Sequence, residues 1–168
     1  MPLNPTMIRF DVSALTKARL GASLTLNVDT GPQHLVDLEL GVLRGTIQVV
    51  RVQGGLLVQG TLESQLCLDC VRCLESFVLP IALELEEIFG LPGAGPRPDV
   101  TYRVGGDGWL DLAPLLRELA WVATPMKPLC DPECKGLCPQ CGVNLNEESC
   151  TCERVRIDPR LAALKDLL

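Results

Sequence analysis

The chain has 168 residues, of which 47% are apolar and 21% charged, with 15 Lys/Arg against 21 Asp/Glu and a net charge of −6. That length suits one main hydrophobic core, and no apolar run approaches the roughly 18 residues a membrane helix needs. The negative balance excludes the basic footprint of a protein that grips nucleic acid through charge alone.

Splitting the chain at Met126 uncovers no basic half, since 9 basic residues stand against 14 acidic ones up to that point and 6 against 7 beyond it. The start, Met1 to Met7, has no basic stretch followed by an apolar one, so no secretory signal is expected and the location expected is cytoplasmic. The nine cysteines should then be reduced. In such a compartment, clustered thiols bind metal or do redox chemistry more often than they form a disulfide framework.

In chain order, Ile8-Arg9-Phe10 reads as a short extended start, and Asp11 or Ser13 as the cap of a brief helix running through Leu20 to Gly21. From Ser23 the pattern changes to β-prone runs punctuated by glycine: Leu24 to Val28, Leu35 to Leu43, Gly45 to Val52 and Leu56 to Leu68. Gly54-Gly55 predicts a two-residue hairpin between the last two. Phe77 to Phe89 reads as a strand returning along the sheet. The Gly/Pro-rich stretch from Gly90 to Gly108 predicts an excursion, with a short strand at Val100 to Val104. Asp111 then looks like an N-cap, Pro114 sits where its missing N–H costs little, and Leu112, Leu115, Leu116, Leu119 and Val122 recur at helical spacing. Leu161 to Leu168 predicts a short terminal helix.

These elements predict an α+β protein. Its core would be an antiparallel β-meander, barrel-like in one version, packed by one leucine-rich helix and followed by a C-terminal cysteine-rich zinc-binding hairpin. The expected divisions are a main domain over residues 1–126, a zinc-binding segment over 127–157 and a terminal helix over 158–168.

Six cysteines lie close together: Cys130, Cys134, Cys138, Cys141, Cys150 and Cys152. Two thiolates two residues apart can both reach one ion about 2.3 Å away, and glycine after the second permits the tight turn that aims amides at the sulfurs. Cys138-Pro139-Gln140-Cys141-Gly142 fits that pattern. Zinc takes four ligands, so the partners of Cys138 and Cys141 are either Cys130 and Cys134 or Cys150 and Cys152. The common ferredoxin spacings are absent, which favours one zinc ion over an iron–sulfur cluster. A site closed by four protein ligands is structural rather than catalytic.

A second group, Cys67, Cys70 and Cys73, follows a strand. Cys70 and Cys73 have the spacing of a redox or metal pair, but no proline separates them and no helix N-terminus is expected to lower a thiol pKa there. The plainer reading is small buried cysteines at a strand connection. Arg72, between them, is a candidate contact for a phosphate or an acidic partner. His34 is given no role. No phosphate-cradling glycine loop, nucleophile elbow or triad histidine is present, so no enzyme is expected.

Several strings together carry a family resemblance: Cys70-Val71-Arg72-Cys73-Leu74-Glu75 after the meander, the leucine helix from Asp111, Lys135-Gly136-Leu137-Cys138-Pro139 within Leu129 to Cys141, Asn144-Leu145-Asn146, and Asp158-Pro159-Arg160. The chain resembles the YceD family, also called DUF177, along nearly its whole length. The resemblance implies a bacterial and plastid protein linked to accumulation of large-subunit ribosomal RNA and to large-subunit assembly. It further implies that the C-terminal cysteines vary among members, so that zinc stabilises one branch while Cys70 and Cys73 are the more general feature.

The expectation is a factor that binds ribosomal RNA or a ribosomal protein of the large subunit, with Cys70, Arg72 and Cys73 at the partner surface and neither a membrane nor a small-molecule substrate involved. The alternative is a thiol-redox or zinc-sensing protein using Cys67, Cys70 and Cys73.

Overall fold

Alternating apolar and polar residues turn most of this chain into strands. A computed structural model describes residues 8–93, 95 and 100–152. Its elements run β1 (Arg9–Asp11), α1 (Ser13–Thr16), β2 (Ser23–Thr30), β3 (Gln33–Leu35), β4 (Leu38–Leu40), β5 (Leu43–Val52), β6 (Gly55–Asp69), β7 (Ser76–Gly90), β8 (Tyr102–Arg103), β9 (Trp109–Asp111) and α2 (Ala113–Ala123). The terminal helix expected over 158–168, and residues 153–157 of the zinc-binding segment, lie outside the described residues.

The strand β6 is the axis of the sheet. Along one edge it pairs with β7 over its whole length, from Gly55↔Gly90 to Asp69↔Ser76. Its other edge is shared by β5, in register from Val52↔Gly55 to Arg44↔Glu63, and by β4 at Leu40↔Leu66. β2 then flanks β5 and β3 flanks β4, all antiparallel.

β8 joins β7 in parallel, the one departure from an antiparallel meander among the described strands. Because β2, β3 and β8 each pair with a single neighbour, the sheet has free ends and does not close among the described strands. The barrel-like version of the meander is therefore corrected to an open sheet.

Inward positions recur at the period of two that a half-buried sheet requires. Leu43, Ile47, Val49, Leu56, Val58, Leu62, Leu66, Leu83, Leu85 and Phe89 form the core on that face. The opposite face is polar, with Thr46 donating to Asn27 at 3.1 Å and Gln59 to Gln48 at 3.0 Å. α2 covers the apolar face against β7, burying Leu115, Leu116 and Ala120. The predicted stripe is corrected at its end, where Val122 points to solvent at 84% exposure.

Other local expectations shift by a few residues, each for a definable reason. The hairpin loop is Gln53-Gly54, and Gly55 belongs to β6, where an added Cβ would meet Ile88 Cγ2 and Phe89 O at 2.7 Å. The run from Leu35 to Leu43 splits into β3 and β4 at a tight turn in which the Asp37 amide donates to Leu35 O. The carboxylate of Asp37 there accepts two hydrogen bonds from Arg117 of α2, at 2.7 and 2.6 Å.

The helix expected through Leu20 is a single turn, Ser13–Thr16, with Asp11 Oδ1 accepting from Ser13 N at 2.9 Å. Asp111 belongs to β9, which pairs with β1, and its Oδ1 still accepts from Ala113 N at 3.0 Å at the start of α2.

Candidate metal centre

The connection between β6 and β7 is a knuckle built on two cysteines. Leu74 N donates to Cys70 O at 2.9 Å, and Cys70 N donates to Glu75 O at 2.9 Å. Such a turn needs a residue of positive φ at its close, and Leu74 takes φ +62. The same pattern recurs downstream. Gly142 N donates to Cys138 O at 2.9 Å and Cys138 N to Val143 O at 2.8 Å, with Gly142 at φ +74.

Each knuckle meets a second pair of sulfurs. Cys70, Cys73, Cys130 and Cys134 form one group and Cys138, Cys141, Cys150 and Cys152 the other, with all four sulfurs of each group within 4.8 Å of one another. In the first group, Cys70 Sγ lies 3.8 Å from Cys134 Sγ and Cys73 Sγ lies 3.6 Å from Cys130 Sγ. A disulfide would bring sulfurs to about 2.05 Å. A tetrahedron of ligands about 2.3 Å from its centre has edges of about 3.8 Å, so this spacing fits four thiolates around one ion.

Where the sequence suggests one four-ligand site drawn from six cysteines, the fold assembles two groups of four sulfurs that could each hold an ion, and the first borrows Cys70 and Cys73 from the β6–β7 connection. Cys138 and Cys141 keep company with Cys150 and Cys152, while Cys130 and Cys134 go to the other group. Cys67 is an exposed residue of β6, paired with Val78, and belongs to neither.

The segment carrying Cys130 and Cys134 is held to the first knuckle by backbone and side-chain bonds. Val71 N donates to Pro128 O at 3.0 Å and Leu137 N to Arg72 O at 3.1 Å. Arg72 Nη1 donates to Cys134 O at 2.8 Å and to Pro132 O at 3.4 Å. The structure thus places the Arg72 guanidinium across the loop that supplies two of the four sulfurs.

Gly136 is the joint between the groups. At φ +73, its missing Cβ would stand 2.9 Å from Arg72 O and 3.2 Å from Arg72 Cβ, so no other residue fits without displacing the first knuckle. Phe77 and Leu129 pack around Cys70, Cys73 and Cys134, which are buried.

Amides aimed at sulfur favour its thiolate form. The Cys70 thiol is lowered to about 6, chiefly by the backbone amide of Cys130 and also by those of Cys73 and Arg72, against burial. Cys138 is lowered to about 6 by the amides of Cys141 and Gln140. The later partners go the other way: Cys130 rises to about 12 beside the sulfur of Cys73, and Cys152 to about 12 beside that of Cys141. Four sulfurs packed this closely ionise together only when a cation balances their charge.

Cys70 and Cys73 show the spacing of a metal pair in the sequence, but their two partners lie 57 and 64 residues downstream, where no local spacing points back to them. The detectable signal was the second pair, Cys130 and Cys134, left without a companion once Cys150 and Cys152 are assigned to Cys138 and Cys141.

No helix among the described residues is long and apolar enough to cross a membrane. A family model described as Large ribosomal RNA subunit accumulation protein YceD matches residues 58–168. An uncharacterized protein of Mycobacterium tuberculosis is 34% identical over 155 residues, covering 90% of this chain and 69% of the relative. The uncharacterized YlbN of Bacillus subtilis is 28% identical over 130 residues, covering 73% and 76%. A chloroplastic protein of Arabidopsis thaliana, named as Large ribosomal RNA subunit accumulation protein YCED homolog 1, is 24% identical over 186 residues, covering 94% of this chain and 56% of its own. No solved structure matches.

Proposed function

The chain belongs to the YceD family of large ribosomal RNA subunit accumulation proteins, and on that premise we propose that it supports accumulation of large-subunit ribosomal RNA as a non-enzymatic factor carrying two structural zinc ions. The observation that carries this reading is the family match over residues 58–168, a span that takes in all eight clustered cysteines.

Zinc suits four thiolates at tetrahedral spacing, and a set of ligands completed by the protein leaves no position for a reacting water. Each site holds a piece of chain in shape. The first ties Cys130 and Cys134 to the end of the β6–β7 hairpin, and the second closes a hairpin over Asn144, Leu145 and Asn146.

The direct partner in this reading is ribosomal RNA or a ribosomal protein of the large subunit. Four thiolates around a dication carry two negative charges, so each filled site makes a chain already at −6 more acidic. That charge makes a basic ribosomal protein as suitable a partner as RNA. The turn of Cys70, Arg72 and Cys73 shapes the partner-facing surface, with Arg72 engaged in holding the neighbouring loop.

The thiol-redox alternative is not favoured: Cys67 stands apart, and Cys70 and Cys73 have two further sulfurs against them. The test is depletion of the protein in a bacterium that encodes it, with large- and small-subunit ribosomal RNA quantified. A selective fall in the large-subunit species, restored by the wild-type protein, is expected. Unchanged ratios and subunit profiles would overturn the proposal.

A further inference from the structure

A side chain from the second group's loop reaches a sulfur of the first group. Asn146 lies in the loop between Cys141 and Cys150, inside the second group's hairpin, yet its Nδ2 donates to Cys134 Sγ of the first group at 3.3 Å. The same amide nitrogen donates to Asn144 Oδ1 at 2.9 Å, and Asn146 Oδ1 accepts from Lys135 N at 2.7 Å. Asn144 is positioned in turn by its bridge to Leu137 beside the second knuckle, and Leu145 N donates to Gly136 O at 2.9 Å. The position of Asn146 therefore depends on the loop that the second group closes.

We propose that the two sites are energetically coupled through Asn146: metal at Cys138, Cys141, Cys150 and Cys152 fixes the loop so that the Asn146 amide donates to the Cys134 sulfur, and this slows metal loss from Cys70, Cys73, Cys130 and Cys134. The inference rests on the reading of both groups as metal sites. An N–H donated to a thiolate spreads its negative charge, which makes the sulfur a poorer target for protons and the bond to metal harder to break. Outer partners of this kind change metal affinity by roughly 10- to 100-fold when removed. Coupling is reciprocal, so an occupied first site also favours occupation of the second.

The experiment uses the full chain loaded with cadmium-113, whose resonance reports each thiolate site separately, and with zinc for release into excess colorimetric chelator. Cys70→Ser identifies the first site's resonance. Asn146→Asp keeps the oxygen that accepts from Lys135 N and removes the donor to sulfur; Asn146→Ala removes both. In both variants the first-site resonance is expected to move and zinc to leave that site about tenfold faster or more, with the second-site resonance kept in place. Breaking the second site with Cys150→Ser and Cys152→Ser is expected to reproduce the first-site shift and the faster release.

A first-site resonance and release rate left unchanged by these substitutions would overturn the coupling while leaving the two-site reading intact. A single resonance in the wild-type chain would instead overturn the two-site reading, and the coupling with it.

Discussion

Leu74 and Gly142 hold the same place in two copies of one turn: each follows the second cysteine of its pair, each has positive φ, at +62 and +74, and each donates its amide to the first cysteine's carbonyl at 2.9 Å. Glycine takes that conformation without steric cost, whereas an L side chain there costs about 1–2 kcal/mol.

Replacing Leu74 by glycine relieves that strain and adds about 0.5–1 kcal/mol of lost chain entropy. The expected result is a metal-loaded protein as stable as the wild type, or more stable by up to about 1.5 kcal/mol. Leu74→Val, whose branched Cβ fits the turn worse, should lower the thermal midpoint. Denaturation of the three loaded proteins checks the order, and a large loss of stability in Leu74→Gly would contradict it.

Much of the fold could be read in the residues. Alternation located β5, β6 and β7, and the leucine spacing after Asp111 located α2. The break between β3 and β4 is a local turn, with Val36 at φ +48 and the Asp37 amide donating to Leu35 O, and an unbroken run of apolar alternation masks it; the Arg117 guanidinium that grips Asp37 from 80 residues away could not be read at all. The sites were half legible for the same reason. Cys138-Pro139-Gln140-Cys141-Gly142 declares a knuckle locally, and Cys70 and Cys73 show a pair's spacing, but Cys73 and Cys130 meet across 57 residues, which no local spacing reveals.

Arg72 predicts a separation between charge and shape. Its Nη1 donates to Cys134 O and Pro132 O, so Arg72→Lys, which keeps the charge but loses the planar fork, should behave like Arg72→Ala rather than like the wild type. Both should weaken retention of metal at the first site by about 1.5–3 kcal/mol, the range for hydrogen bonds involving charged groups. Chelator competition measures this, and wild-type retention in Arg72→Lys would show that charge alone suffices.

Acid should release the clasp between the β3–β4 turn and α2. The hydrogen bonds from Arg117 hold the Asp37 carboxyl below its ordinary value of 3.8. A group whose folded pKa is lowered contributes stability above its unfolded value and loses it as pH falls through the folded one. Asp37→Asn should therefore be less stable than the wild type near neutral pH, with the difference fading as pH falls below about 3.8. Urea midpoints at the two extremes check the sign. The size should be modest, because the pair is well exposed to solvent.

The fold brings eight cysteines together as two groups of four that could each hold a metal ion, and the central proposal is that both do, one of them stitching the β6–β7 connection to the segment that follows α2. Native mass spectrometry of the zinc-loaded chain tests it most directly. Two zinc ions are expected for the wild type and for Cys67→Ser, and one for Cys70→Ser and for Cys138→Ser. A single ion that survives Cys70→Ser and Cys73→Ser unchanged would contradict the account.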